Sequence, residues 1–406
     1  MKHLFLTFTV LCCLLVFSCN KDDDTTPPLE PNVESFDQSS YSLVIDDIGS
    51  SISMDAIGND EFILTGKSHS DGNNFSDIHL TKLDDQCNVA WTKTFGGMDT
   101  EFSNDVYSTN EGGFIVAGTT RGFGAYSIDA YIIKAGADGN EEWSNTYGED
   151  KREIPESIIQ MEDGGYLFVG QTEKFTTQDW DAYYVRLDAD GNVIWSKNSG
   201  RAFNDFAHEV VPTNDNHFVI LGTTDSVETF FEHTLTLEKI DADGNTLWFK
   251  PLNHLAEIAA DYGLAVDDDE GLLIASGRGE DGFGYRGDAL LIKTDANGNE
   301  SWSKSYGGSE SDEANIVIKT SDNHIMMLGT SQSYGYGYSD LMVIKTDNKG
   351  NQKWLKTYGG SHIDQAYGIE EMANGNFLIL GIYATEPQGA VFNTIILKID
   401  KDGQPL

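Results

Sequence analysis

The sequence predicts an all-β fold, a seven-bladed β-propeller of four-stranded antiparallel blades, and three observations predict it. A tryptophan recurs at Trp91, Trp143, Trp195, Trp248, Trp302 and Trp354, at spacings of 52, 52, 53, 54 and 52 residues. A glycine closes an apolar run at Gly66, Gly118, Gly170, Gly222, Gly277, Gly329 and Gly381. Composition agrees: 42 Gly, only 8 Pro and 11% aromatics suit short strands joined by tight turns. A repeat of this length sets the architecture before any local assignment, and seven glycine markers mean seven units.

Taken from the N-terminus, Lys2 and His3 precede an apolar run from Leu4 to Phe17, and Ser18 stands before Cys19. The run is too short for a spanning helix and has the layout of a signal peptide, residues 1–18. Val16-Phe17-Ser18-Cys19 resembles a bacterial lipobox, which implies cleavage before Cys19 and its acylation. Asn20-Lys21-Asp22-Asp23-Asp24 resembles the tag that sends lipoproteins of the Bacteroidetes type to the outer face of the outer membrane. The resemblance implies a membrane partnership through the lipid. Residues 19–35, with Pro27, Pro28 and Pro31, then read as an acylated Cys and flexible tether, leaving 36–406 for the propeller.

Each unit reads as four strands. The first is typified by Ala366-Tyr367-Gly368-Ile369, the second by Phe114-Ile115-Val116-Ala117-Gly118, the third by Asp129 to Lys134 and the fourth by Asn140 to Gly148. These runs are rich in β-branched and aromatic residues and bounded by Gly, Asn and Asp, which favours strand over helix. Turns such as Asp188-Ala189-Asp190-Gly191-Asn192 join third to fourth strands, with Gly supplying positive φ. The last unit stops at Leu406, after its third strand, and Tyr41 to Ile45 stands where a fourth strand would precede the first unit. An N-terminal strand is therefore expected to close the last blade and remove its exposed edge.

Trp302-Ser303-Lys304-Ser305-Tyr306-Gly307-Gly308 and Trp354-Leu355-Lys356-Thr357-Tyr358-Gly359-Gly360 carry a further resemblance. With the Asp-Gly-Gly turns and Asp-x-x-Gly-Asn hairpins, they resemble secreted bacterial and archaeal propeller repeats, over about residues 60 to 406. The resemblance implies the fold and leaves activity open.

Composition also limits function. With 66 Asp and Glu against 26 Lys and Arg, the formal charge is −40, and no basic stripe is present to neutralise phosphates, so nucleic acid is a poor partner. Once Cys12 and Cys13 leave with the signal and Cys19 is acylated, Cys87 alone remains, which gives neither a disulfide framework nor a Cys metal site. No His pair has metal-ligand spacing, and no nucleophile elbow, phosphate loop or dinucleotide fingerprint occurs, so no catalytic residue, metal or cofactor is expected. The Asp-x-Asp-Gly-Asn turns depart from the EF-hand pattern and read as plain hairpins.

A repeat protein separates scaffold from site: a residue present in every unit is architecture, and a residue present in one needs another reason. The bases Lys82, Lys134, Arg186, Lys239, Lys293, Lys345 and Lys398 recur and read as structural ion pairs or stems between blades. Trp180 is the one Trp off the repeat position. It joins Phe75, Phe123, Tyr126, Phe175, Phe230, Phe231, Phe283, Tyr285, Tyr334, Tyr336 and Tyr338 on the second-to-third loops, a face suited to sugar stacking or a protein partner, or to capping the blade ends. Ten residues past a marker Trp stand Glu101, Asp205, Asp312 and Asp364, expected either at the channel mouth as ligand contacts or as caps on strand starts. Asn253 to Glu257, which breaks the Tyr-Gly-Gly pattern, is a second candidate patch. The reading is a monomeric outer-membrane surface lipoprotein that binds extracellular carbohydrate or a protein partner. The alternatives are a polysaccharide-acting enzyme with acids at the channel mouth, and a purely structural or assembly component.

Overall fold

The computed structural model describes residues 33–37, 43–45, 50–58, 60–69, 75–123, 128–148, 151–173, 179–200, 204–225, 233–256, 262–277, 287–384 and 392–406. Their regular structure is entirely β. Seven sheets form, and in each one strand lies innermost; Val33–Asp37 and Leu43–Ile45, though earlier in the chain than the rest of their sheets, stand on outer edges. These inner strands are Ser50–Gly58, Glu101–Ser108, Glu153–Gln160, Asp205–Pro212, Gly263–Val266, Asp312–Lys319 and Asp364–Glu371. Each touches the next, and the seventh touches the first, so the chain is a closed seven-bladed propeller.

What holds the ring is burial between blades. One apolar cluster fills each junction; at the closing one, Met372, Leu378, Leu380 and Ile396 of blade seven meet Met54, Phe62, Leu64 and Leu83 of blade one. The repeat motif clasps the same junctions from outside. The Trp of each fourth strand lies over the hairpin glycine of the following blade: a Cβ on Gly139 would stand 2.5 Å from Trp91, and one on Gly350 2.7 Å from Trp302. Those glycines also have φ of +75° and +72°, so ring and turn both demand Gly. Two residues on, Lys93 and Lys304 donate to Asn140 and Asn351 of the next turn, at 3.0 and 2.8 Å. Tyr147 and Tyr306 hydroxyls donate to the carbonyls of Gly191 and Gly350 at 2.6 and 2.7 Å. Blade seven has no such Trp, and at the corresponding turn of blade one Cys87 replaces Gly at φ +65°. Its side chain packs into the closing cluster.

Closure takes the expected form and adds a second element. Leu43–Ile45 pairs antiparallel with Phe392–Ile399 as the outer strand of blade seven. Ahead of it, Val33–Asp37 pairs parallel with Gln352–Gly359 on the outer edge of blade six, giving that sheet five strands. Among the described residues pairing thus includes Val33 to Ser35, inside the segment read from sequence as tether. Phe36 stacks on Tyr358 at 5.4 Å and Glu34 pairs with Lys356 at 2.8 Å.

Six of the recurrent third-strand bases form ion pairs within their own blade, while Lys398 donates to the Asp85 carbonyl of blade one and Lys345 also to the Lys401 carbonyl of blade seven, so stems reach between blades as well. Lys239 meets Asp215 at 2.7 Å and Lys345 meets Asp322 at 2.9 Å, each acid lying in the same blade's first hairpin. The carboxylate of Asp188 accepts from the amides of Asp190 and Asn192, and Asp241 does likewise from Asp243 and Asn245. Those acids build their own hairpin turns.

Candidate functional site

The marker glycines point to the channel. In six blades the inner strand bulges directly after the residue opposite the marker glycine: Gly118 pairs with Ser103, and register resumes at Asp105. The same shift occurs after Ser51, Pro155, Ala207, Ala314 and Ala366. A Cβ on Gly118 would stand 2.3 Å from the Phe102 carbonyl oxygen, and one on Gly170 2.0 Å from that of Ile154, so only glycine admits the bulge. A bulge re-aims one side chain. Here it delivers Ile52, Asn104, Glu156, His208, Asn315 and Tyr367 to the channel, with Tyr262 at the matching place in blade five. Together with Ser53, Asp105, Ser157, Glu209, Gly263 and Ile316 they line a cavity of about 410 Å³.

By the repeat criterion this ring is the exceptional part of the molecule, since its position is fixed and its residue changes from blade to blade. The glycine pattern held the signal: the residue after the marker's partner is the one displaced. Among the described residues no Lys or Arg lines the cavity, and its carboxyls feel burial and one another. Glu209 is pushed up to about 8 by loss of water, aided by the charge of Asp105, although it accepts the Leu264 amide. Asp105 is raised to about 6 by burial, against hydrogen bonds from the Ile158 and Val106 amides and the Ser53 hydroxyl. Further along the channel strands, Asp55 is raised by burial, and Glu370 to about 8 by burial and the charge of Asp55. Loss of water lowers His208 to about 3, with the charge of His233 adding to it, so its imidazole is neutral at pH 7. Nε2 of His208 lies 2.9 Å from the Thr223 hydroxyl.

The sequence leaves the four acids two places, the channel mouth or caps on strand starts, and each opens an inner strand. Glu101, Asp205, Asp312 and Asp364 are at most 3% exposed. Three of them accept the amide of the second Gly in the preceding corner: Glu101 from Gly97 at 3.1 Å, Asp312 from Gly308 at 2.8 Å and Asp364 from Gly360 at 2.7 Å. Glu101 also takes the Thr120 hydroxyl, and Asp312 the Ser333 hydroxyl. Burial and these bonds make Glu101, Asp312 and Asp364 caps on the inter-blade corners.

The loop aromatics divide. Arg152 covers Trp180 at 4.9 Å, held there by Glu173, and Tyr334 donates to the Gly307 carbonyl at 2.9 Å, so both pack on blade ends. Phe123 tilts against Tyr131 at 5.5 Å. Tyr336 and Tyr338 are 56% and 68% exposed, and Phe75 and Phe123 are exposed as well. Phe175, Phe230, Phe231, Phe283, Tyr285, Tyr126 and the lipidation residue Cys19 lie outside the described residues. In the Asn253 to Glu257 patch the outer strand of blade four runs on to Ala256, and His254 meets Glu300 of blade five at 3.0 Å.

Fold and site together define a closed seven-bladed propeller with an acidic, partly aromatic pocket in its channel. No protein-family profile and no curated protein matches the chain. Among solved structures it is similar to a puromycin hydrolase, at a TM-score of 0.57 and 11% identity over 92% of this chain, spanning 56% of the hydrolase's length. It is also similar to the polysaccharide lyase Uly1, at a TM-score of 0.52 and 10% identity over 91% of this chain and 96% of the lyase. Likeness at such identity shows the fold alone.

Proposed function

We propose that this chain is an outer-membrane surface lipoprotein, anchored through acylated Cys19, whose propeller binds extracellular carbohydrate. The observation that carries the reading is the channel ring: seven equivalent positions hold seven chosen side chains, among them two tyrosines, two amides and a carboxylate. Tyrosine faces stack on sugar rings, and amides and carboxylates take hydroxyl hydrogens. The exposed Tyr336 and Tyr338 extend the same chemistry to the loop face, where a glycan chain or a protein partner could rest. A glycan array on the purified protein, repeated on Tyr262→Ala and Tyr338→Ala, tests this. Binding that falls with Tyr262→Ala supports the channel; silence across the array removes the reading.

A second reading, a polysaccharide-acting enzyme, draws on Glu209. Its carboxyl holds a proton at neutral pH and lines the cavity with Glu156, the acid and base that glycoside cleavage requires. Turnover of a polysaccharide that vanishes in Glu209→Gln would favour it. Elimination on an acidic sugar fits less well, because the carboxylate beside the departing proton needs a cation and the described lining residues include no Lys or Arg.

A further inference from the structure

We infer that a second carbohydrate subsite lies on the rim of the propeller, in the cleft between blades one and two, and that it takes a neutral sugar; the inference rests on the carbohydrate reading above. The cleft is bounded by the end of blade one's outer strand, Val89–Phe95, and by the two outer strands of blade two, Asp129–Ala135 and Glu141–Tyr147. Its volume is about 500 Å³, within the range of small-ligand pockets. One residue of blade two opens it. Ser144 follows the marker Trp143, whereas in blade four Phe249 follows Trp248. Between blades three and four, where Phe249 and Ser199 line the equivalent place, only about 10 Å³ is left.

Phe123 supplies a stacking face. Its ring is 41% exposed and tilts at 5.5 Å against Tyr131, which is buried behind it. A Cβ on Gly97 would stand 2.8 Å from the Phe123 ring, so the glycine corner of blade one leaves the ring its place. Around the two rings the lining is polar: Thr94 and Thr146 bring hydroxyls, Asn145 an amide and Glu141 a carboxylate, all on exposed residues. Ser144 donates to Glu141 at 2.8 Å and holds that carboxylate in place. A sugar has an apolar face of C–H groups and a rim of hydroxyls that both donate and accept, which a ring set among mixed polar groups matches.

Charge and shape narrow the ligand. Among the described lining residues Glu141 is the one charged group, so an acidic sugar would meet a carboxylate with no cation beside it. An extended peptide is the other occupant this repeat takes, since Val33–Asp37 pairs along the outer edge of blade six. The rim cleft instead lies between two blades and is lined by side chains of both, which suits a ring inserted between them rather than a strand added beside one. Among the described residues it shares none with the channel pocket, so the two sites can be removed separately.

Calorimetry on the purified protein tests this, with cellohexaose, laminarihexaose and mannohexaose as neutral probes and hexagalacturonate as the acidic one. At least one neutral hexasaccharide should bind, and that binding should weaken about 10-fold in Phe123→Ala and at least as far in Ser144→Phe, which copies blade four. Tyr262→Ala, in the channel, should leave this component intact. Hexagalacturonate should bind at least about 10-fold more weakly. Neutral binding that survives both cleft variants and falls in Tyr262→Ala overturns the rim subsite and leaves the channel proposal standing. Equal or tighter binding of hexagalacturonate, or no binding of any probe, also overturns it; the glycan array then still decides the carbohydrate proposal. A synthetic Val33–Asp37 peptide that binds without any hexasaccharide, and is lost in both cleft variants, overturns the sugar in favour of an added strand.

Discussion

The rings of His208 and Tyr262 lie 4.4 Å apart, centroid to centroid, across the junction of blades four and five, tilted by 46°. This contact helps keep water from the imidazole, whose pKa falls to about 3. Between its unfolded value of 6.5 and that level the folded chain binds fewer protons than the unfolded one. Stability from this group is therefore complete above pH 6.5 and lost as pH falls. From pH 7 to pH 5 the wild type should lose about 2 kcal/mol more than His208→Gln in urea denaturation. A ring resonance that titrates near 6.5 in the folded protein would contradict it.

Asp340 and Asp364 predict the opposite limb. Both are about 1% exposed, and burial raises both from 3.8 to about 6, with the charge of Asp364 adding to the rise at Asp340. The folded chain holds more protons than the unfolded one over that interval, so the pair's contribution is fullest in acid and declines up to pH 6. In Asp340→Asn, whose amide oxygen can still accept from Tyr336 and Gly337, that decline should shrink by about 1–2 kcal/mol. The measurement is denaturant stability at pH 4 against pH 7, variant minus wild type.

Two glycine variants separate crowding from backbone conformation. At Gly118 a new methyl would press on the Phe102 carbonyl at 2.3 Å and Ser103 Cα at 2.9 Å, so Gly118→Ala should cost about 3 kcal/mol. At Gly112, with φ +83° and open space around it, Gly112→Ala should cost only about 1 kcal/mol. Thermal unfolding of the pair checks the order.

The N-terminal strand on blade six predicts unequal effects from adjacent residues. Phe36→Ala removes a stacked ring from Tyr358 and should cost about 1–2 kcal/mol. Glu34→Gln breaks a pair whose acid is half exposed, and should cost under about 1 kcal/mol. Chemical denaturation of both variants reads the difference.

The blades were legible because Trp and Gly are coupled across the repeat: the Trp needs a turn without a Cβ beneath it, and both leave marks every 52 residues or so. Closure was legible because a missing fourth strand and a spare N-terminal one are complementary. Val33–Asp37 was not, since a strand added outside the repeat has no counterpart in other blades. For the acids the sequence left two readings open: Asp312 and Asp364 stand at the start of channel strands, and the Tyr-Gly-Gly corner folds over them as the cap reading has it. The channel ring was written in the glycines, but a bulge shifts the inward face by one residue, which simple alternation does not reveal.

Because six of the inward residues sit on bulges and Tyr262 lies just ahead of its strand, all outside the ladder of paired strands, each can be exchanged without disturbing a blade. Ligand preference can therefore drift one position at a time around the ring while the wedge-to-wedge contacts stay intact. A duplicated blade carries its variable position with it, so the architecture keeps an inventory of seven separately selectable contacts on an invariant frame.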